Sequence, residues 1–175
     1  MKTLNHGTKV IPKDWNLKIH LCYKSLIRVL DICRLVMATS NDNLLKQWIE
    51  AENSRDVEKV LTLLTDDIVI EDVTFGLVMK GKDGFKQFYP TFIAAAPDFK
   101  LEPKAWVTDD KSFAMEIVYS GTQKGDFPGL PATGKRFSIR TCSFGEFENG
   151  KIKGRRDYWD LVTLREQLLG KLDKN

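Results

Sequence analysis

From Phe99 onward the apolar residues of this chain recur at every second position, in four runs separated by turn signals. The pattern predicts strands over Phe99–Thr108, Ser112–Gly125, Lys135–Glu148 and Lys151–Leu161. Asp109-Asp110 turns the first pair. Asn149-Gly150 turns the last, a strong two-residue hairpin signal because both residues accept positive φ. The prolines and glycines of the segment Phe127-Pro128-Gly129-Leu130-Pro131-Ala132-Thr133-Gly134 make a rigid, irregular loop, suited to a lid or rim. The first half of the chain follows the helical period instead. Helices are expected over 43–53, over 56–64 with Ser54 as N-cap, and over 81–96, where Pro90 should bend or break the helix. Ile68–Val73 is a β-branched strand with a short return at Leu77–Met79, and a last helix spans Leu161–Leu169. Helices followed by a meander give an α+β domain: a curved antiparallel sheet wrapped over about three N-terminal helices, with a concave apolar interior that suits a small ligand.

At 175 residues the chain is sized for one domain, but its charge is uneven. The total is +3, and residues 1–36 carry seven basic and two acidic side chains, so the remainder carries −2. That remainder interleaves its bases with acids, which argues against a nucleic-acid partner. Residues 1–36 form a basic N-terminal extension. It reads as an added helix, a membrane-surface helix, or upstream sequence foreign to the domain and weakly packed, with the domain itself spanning 37–175. Its apolar stretch is broken by five charges, which excludes stable membrane insertion. Both histidines, His6 and His20, lie in this extension. Any acid–base catalyst of the body is therefore a carboxylate, Tyr, Lys, Cys or water, and no metal site is expected. Three cysteines without metal-like spacing point to a reducing cytoplasm, and Cys142 in its strand is expected to be a buried thiol.

Three segments carry a resemblance. Gly125-Asp126-Phe127-Pro128-Gly129-Leu130-Pro131-Ala132-Thr133-Gly134-Lys135-Arg136-Phe137 is followed by Phe147-Glu148-Asn149-Gly150-Lys151-Ile152 and by Arg156-Asp157-Tyr158-Trp159-Asp160. Together they resemble the SnoaL-like polyketide cyclases of the nuclear transport factor 2-like superfamily, over roughly residues 40–170. The resemblance implies a cone-shaped, cystatin-like α+β barrel, a homodimer packed through the sheet, and no cofactor. It also implies a reaction, intramolecular aldol ring closure, in which an acidic residue acts as general acid/base. That residue corresponds to Asp157. A histidine that assists in those cyclases corresponds to Ser143, which can hydrogen-bond but cannot serve as a base near neutral pH.

Asp157 is the first candidate for catalysis, because a carboxylate in a dry pocket suits removal of a proton next to a carbonyl. Arg140 is the second, as a cation for an enolate oxygen. Glu71 and Asp72 are adjacent on one strand, so one of them must face inward if that strand lines the cavity. Trp48, Tyr89, Trp106, Tyr119 and Trp159 are candidate aromatic walls for a planar ligand. A strict two-residue turn at Asn149-Gly150 pairs Cys142 with Asp157 and puts Arg140, Arg155 and Asp157 on one face; Ser143 joins Asp157 only if a bulge shifts the register. Two functions follow. One is a cyclase- or isomerase-like enzyme acting on a small apolar carbonyl compound, favoured by an unpaired buried carboxylate. The other is a non-catalytic binding or dimerising domain, favoured by a carboxylate clamped by arginine.

Overall fold

The computed structural model describes residues 40–170. The N-terminal extension expected over 1–36 lies outside the described residues. Helix α1 (40–54) buries Asn41, Leu44, Leu45, Trp48, Ile49 and Glu52, which recur at the three- and four-residue spacing of one helical face. Arg55 then takes a φ of 60°, which breaks the helix. Helix α2 (Val57–Leu63) therefore restarts one residue later than expected and is capped by Asp56, whose carboxylate accepts the Lys59 N–H at 2.9 Å. Ser54, the expected cap, instead donates to the Ala51 carbonyl.

Strand β1 (Leu64–Asp72) turns back into β2 (Leu77–Lys80), and helix α3 (Gly81–Ala95) follows. Of the bend or break expected at Pro90, the break does not occur: α3 runs through this residue. Pro90 is on the exposed side of the helix, where the carbonyl deprived of its N–H partner can be hydrated. The meander comprises β3 (Lys100–Thr108), β4 (Ser112–Thr122), β5 (Arg136–Glu148) and β6 (Lys151–Trp159), and α4 (Leu161–Leu169) closes the described chain.

The fold is α+β, with an open, curved sheet in the order β2-β1-β6-β5-β4-β3. One seam departs from the antiparallel expectation: β1 and β6 run parallel. No turn joins these two strands, so local sequence carries no signal of their relative direction. Along β5, burial alternates strictly. Phe137, Ile139, Thr141 and Ser143 point inward, and Arg140, Cys142 and Phe144 point outward. Cys142 is accordingly exposed, not buried.

Candidate active site

The β5–β6 hairpin decides what meets in the interior. Asn149 and Gly150 both adopt positive φ (51° and 71°), so Glu148 pairs with Lys151 across a two-residue turn. Phe147 then pairs with Ile152, but Glu146 pairs with Gly154. Lys153 is thus an extra residue, a bulge that slips every later pair by one position. Ser143 consequently faces Asp157, and its hydroxyl donates to Asp157 Oδ1 at 2.6 Å. Arg155, Asp157 and Trp159, two residues apart on β6, all reach the same interior.

That interior holds a cavity of about 390 Å³ between the sheet and helices α1 and α3. Phe92, Phe99, Phe127 and Phe137 form part of an apolar wall, with edge-on ring contacts from Phe92 to Phe99 at 4.7 Å and from Phe127 to Phe137 at 5.5 Å. The 127–134 loop contributes Phe127 and Pro128 to the lining. It is pinned by the fully buried Gln123, whose amide donates to the Leu130 carbonyl and accepts from Thr133.

Polar groups gather in the same cavity. Arg155 Nε lies 3.1 Å from Asp157 Oδ2, a charge contact whose angle falls short of a hydrogen bond. The Arg155 guanidinium also stacks over the Trp48 ring, 4.7 Å from its centre. The Trp48 indole in turn donates to Glu52 Oε1 at 3.1 Å. Asp72 pairs in register with Asp157 and accepts the Trp159 indole N–H and the Phe75 backbone N–H. Burial raises the proton affinity of Glu52, and the nearby Arg155 charge offsets this only in part. Burial also raises that of Asp72, against the hydrogen bonds it accepts. Burial works against the charge on Arg155, but Asp157 and its other acidic neighbours outweigh it and keep the guanidinium charged. Tyr89 and Tyr119 are pushed up by burial and remain neutral phenols. Among the described residues, no group of three or more His, Cys, Asp or Glu side chains is placed to hold a metal ion.

The family model described as SnoaL-like polyketide cyclase matches residues 42–168. The chain belongs to that family. Three solved structures are representative of those with this fold. AclR from Streptomyces galilaeus is 24% identical with a TM-score of 0.66, the match covering 79% of this chain and 85% of that one. IdmH from Streptomyces antibioticus is 25% identical with a TM-score of 0.63, covering 73% and 96%. A SnoaL-like polyketide cyclase from Agrobacterium tumefaciens is 23% identical with a TM-score of 0.63, also covering 73% and 96%. No curated protein matches the chain.

Within this family fold, Asp157, Ser143, Trp48, Tyr89, Tyr119 and Trp159 come together at or beside the cavity. Three expected residues do not. Arg140 projects from the outward face of β5 and pairs with Glu116 at 3.0 Å, because the bulge leaves even-numbered β5 residues outside. Arg155 is the cation that the cavity holds instead. Glu71 gives way to its neighbour Asp72, which lines the cavity. Trp106 donates to Asp42 at 3.0 Å, so it ties β3 to α1 rather than walling the cavity. Glu52 was missed, although its place on the apolar stripe of α1 was a signal. A carboxylate at a buried helical position requires a partner or a function.

Proposed function

We propose that this protein binds a small, largely apolar carbonyl compound in its cavity and moves a proton at the carbon next to that carbonyl. The observation that carries the reading is the convergence of Asp157, Arg155 and Tyr119 in an otherwise aromatic cavity. The Asp157 carboxylate, aimed by Ser143, takes the proton from carbon. The C–H electron pair becomes a carbon–carbon double bond, and the carbonyl oxygen gains negative charge beside the Arg155 guanidinium. Return of the proton to another carbon isomerises the compound. Attack of the new carbon nucleophile on a second carbonyl, with the proton passed to the resulting alkoxide, closes a ring.

One observation favours a binding domain without chemistry: the same Asp157 is paired with Arg155. Deuterium uptake separates the two readings. A panel of apolar ketones, including 2-tetralone and 1,3-diketones, is incubated with the protein in D₂O and followed by proton NMR. Catalysed exchange at the carbon beside the carbonyl is expected, with a loss of about 100-fold or more in Asp157→Asn. Ligand-induced shifts without exchange would leave the binding domain. An exchange rate unaffected by Asp157→Asn would retire Asp157.

The same reading includes a homodimer packed through the sheet. Val69, Phe144 and Tyr158 are exposed large apolar residues, and the rings of Phe144 and Tyr158 meet edge-on at 6.0 Å. Sedimentation equilibrium at micromolar concentration is expected to give twice the chain mass, and Phe144→Glu the single mass. A wild-type monomer would remove the dimer from the model. Among the described residues no helix is long and apolar enough to cross a membrane. The exposed free thiol of Cys142 accords with a cytoplasmic setting.

A further inference from the structure

Glu52 has no part in the reaction just described, yet it is 4% exposed and lines the cavity. A structural carboxylate at such depth should be saturated by donors or locked to a cation. Glu52 has neither a full set of donors nor an ion pair among the described residues. The Trp48 indole donates to Oε1 and the Tyr89 phenol is also within hydrogen-bonding reach of the carboxyl, which leaves part of its acceptor capacity open to the cavity. The Tyr89 phenol stands beside it and donates to its backbone carbonyl at 3.4 Å. The charged or titratable groups that face it are Tyr89 on α3, Tyr119 on β4, and Arg155 and Asp157 on β6.

We propose that Glu52 is a second proton-exchanging residue of this site, partner to Asp157 across Arg155. The proposal rests on the carbonyl reading above. Glu52 enters as the carboxylic acid, in keeping with its burial. As Asp157 takes the proton from carbon, the Glu52 O–H bond breaks and its proton passes to the carbonyl oxygen. A neutral enol forms, Asp157 becomes the acid and Glu52 the carboxylate. One negative charge has moved from one carboxyl to the other, and the Arg155 guanidinium faces it in both states. No charge builds up in the aromatic cavity. This arrangement also gives the Arg155–Asp157 pairing a use, because the cation that holds one carboxylate at the start holds the other at the end.

The test compares Glu52→Gln, which keeps an acceptor for the Trp48 indole but cannot exchange a proton, with Asp157→Asn and wild type in the D₂O assay. Glu52→Gln is expected to lower catalysed exchange about 100-fold or more with an unchanged Kd for 2-tetralone and an unchanged fold by circular dichroism. Exchange lost in Asp157→Asn but intact in Glu52→Gln would overturn the Glu52 role alone. Absence of exchange in the wild type would overturn the carbonyl reading and this role with it. A measurement on the unaltered protein guards against misfolding of the variant. With carbon-13 at glutamate carboxyls, the Glu52 resonance is expected to titrate above the ordinary glutamate range, and titration within that range would also overturn the proposal.

Discussion

Replacing Arg155 with methionine is expected to lower the unfolding free energy by about 3–5 kcal/mol at neutral pH, because it strands the buried Asp157 carboxylate without its cation. The side chains of Arg155 and Asp157 are 12% and 8% exposed, so little solvent screening is available to soften the loss. The stacking of the guanidinium over Trp48 disappears as well. The deficit should depend on pH with a definite sign. Glu52 has a raised folded-state pKa, so its contribution is fully present below the ordinary value of 4.5 and is lost as pH rises through the folded value. Removing Arg155 takes away a charge that opposes this rise, and the window in which stability falls with pH extends upward. The difference between variant and wild type therefore shrinks as pH falls from 7 toward 5. Urea titrations at the two pH values measure it directly. A deficit that does not change with pH, or one below about 1 kcal/mol, would mean that the pair is dispensable.

How much of this was legible in the chain follows from the range of the interactions involved. The four meander strands, α4 and the Asn149-Gly150 turn are set by neighbouring residues, and the period-two pattern and turn chemistry found them within a few positions. The parallel β1–β6 seam joins strands about eighty residues apart, with no local signal for its direction. The bulge at Lys153 was the decisive gap. Lys153 is an ordinary strand residue, and its side chain pairs with Glu148 at 2.6 Å on the surface, so nothing in its identity announces an extra position. One residue of slip took Arg140 off the face that holds Asp157 and brought Ser143 to it. Arg155 was already placed on the face of Asp157 by the sequence, but Arg140 was preferred as its catalytic partner. The aromatic walls fared unevenly for the same reason. Trp48, Tyr89, Tyr119 and Trp159 face the interior, whereas Trp106 is claimed by Asp42, a partner 64 residues away.

The slipped register depends on Gly145, and Gly145→Ala is expected to cost about 3 kcal/mol, near the upper end for overpacking. A Cβ at this position would stand 2.3 Å from the Phe113 ring and 2.4 Å from the Gly154 carbonyl oxygen. A ring can rotate aside, but the carbonyl belongs to β6 at the bulge itself. Relief therefore requires β6 to move, and with it the Arg155 and Asp157 side chains that follow. The expected result is a lower urea midpoint together with a loss of proton exchange, although Gly145 touches no ligand. Gly154→Ala supplies the control, because its Cβ meets only the Val69 carbonyl at an ordinary 3.9 Å. Its cost should stay below about 1 kcal/mol. Phe113→Leu combined with Gly145→Ala should recover the part of the loss due to the ring and leave the part due to the backbone. Full recovery in the double variant would place the strain in the ring alone and show that the β6 register does not need a glycine at 145.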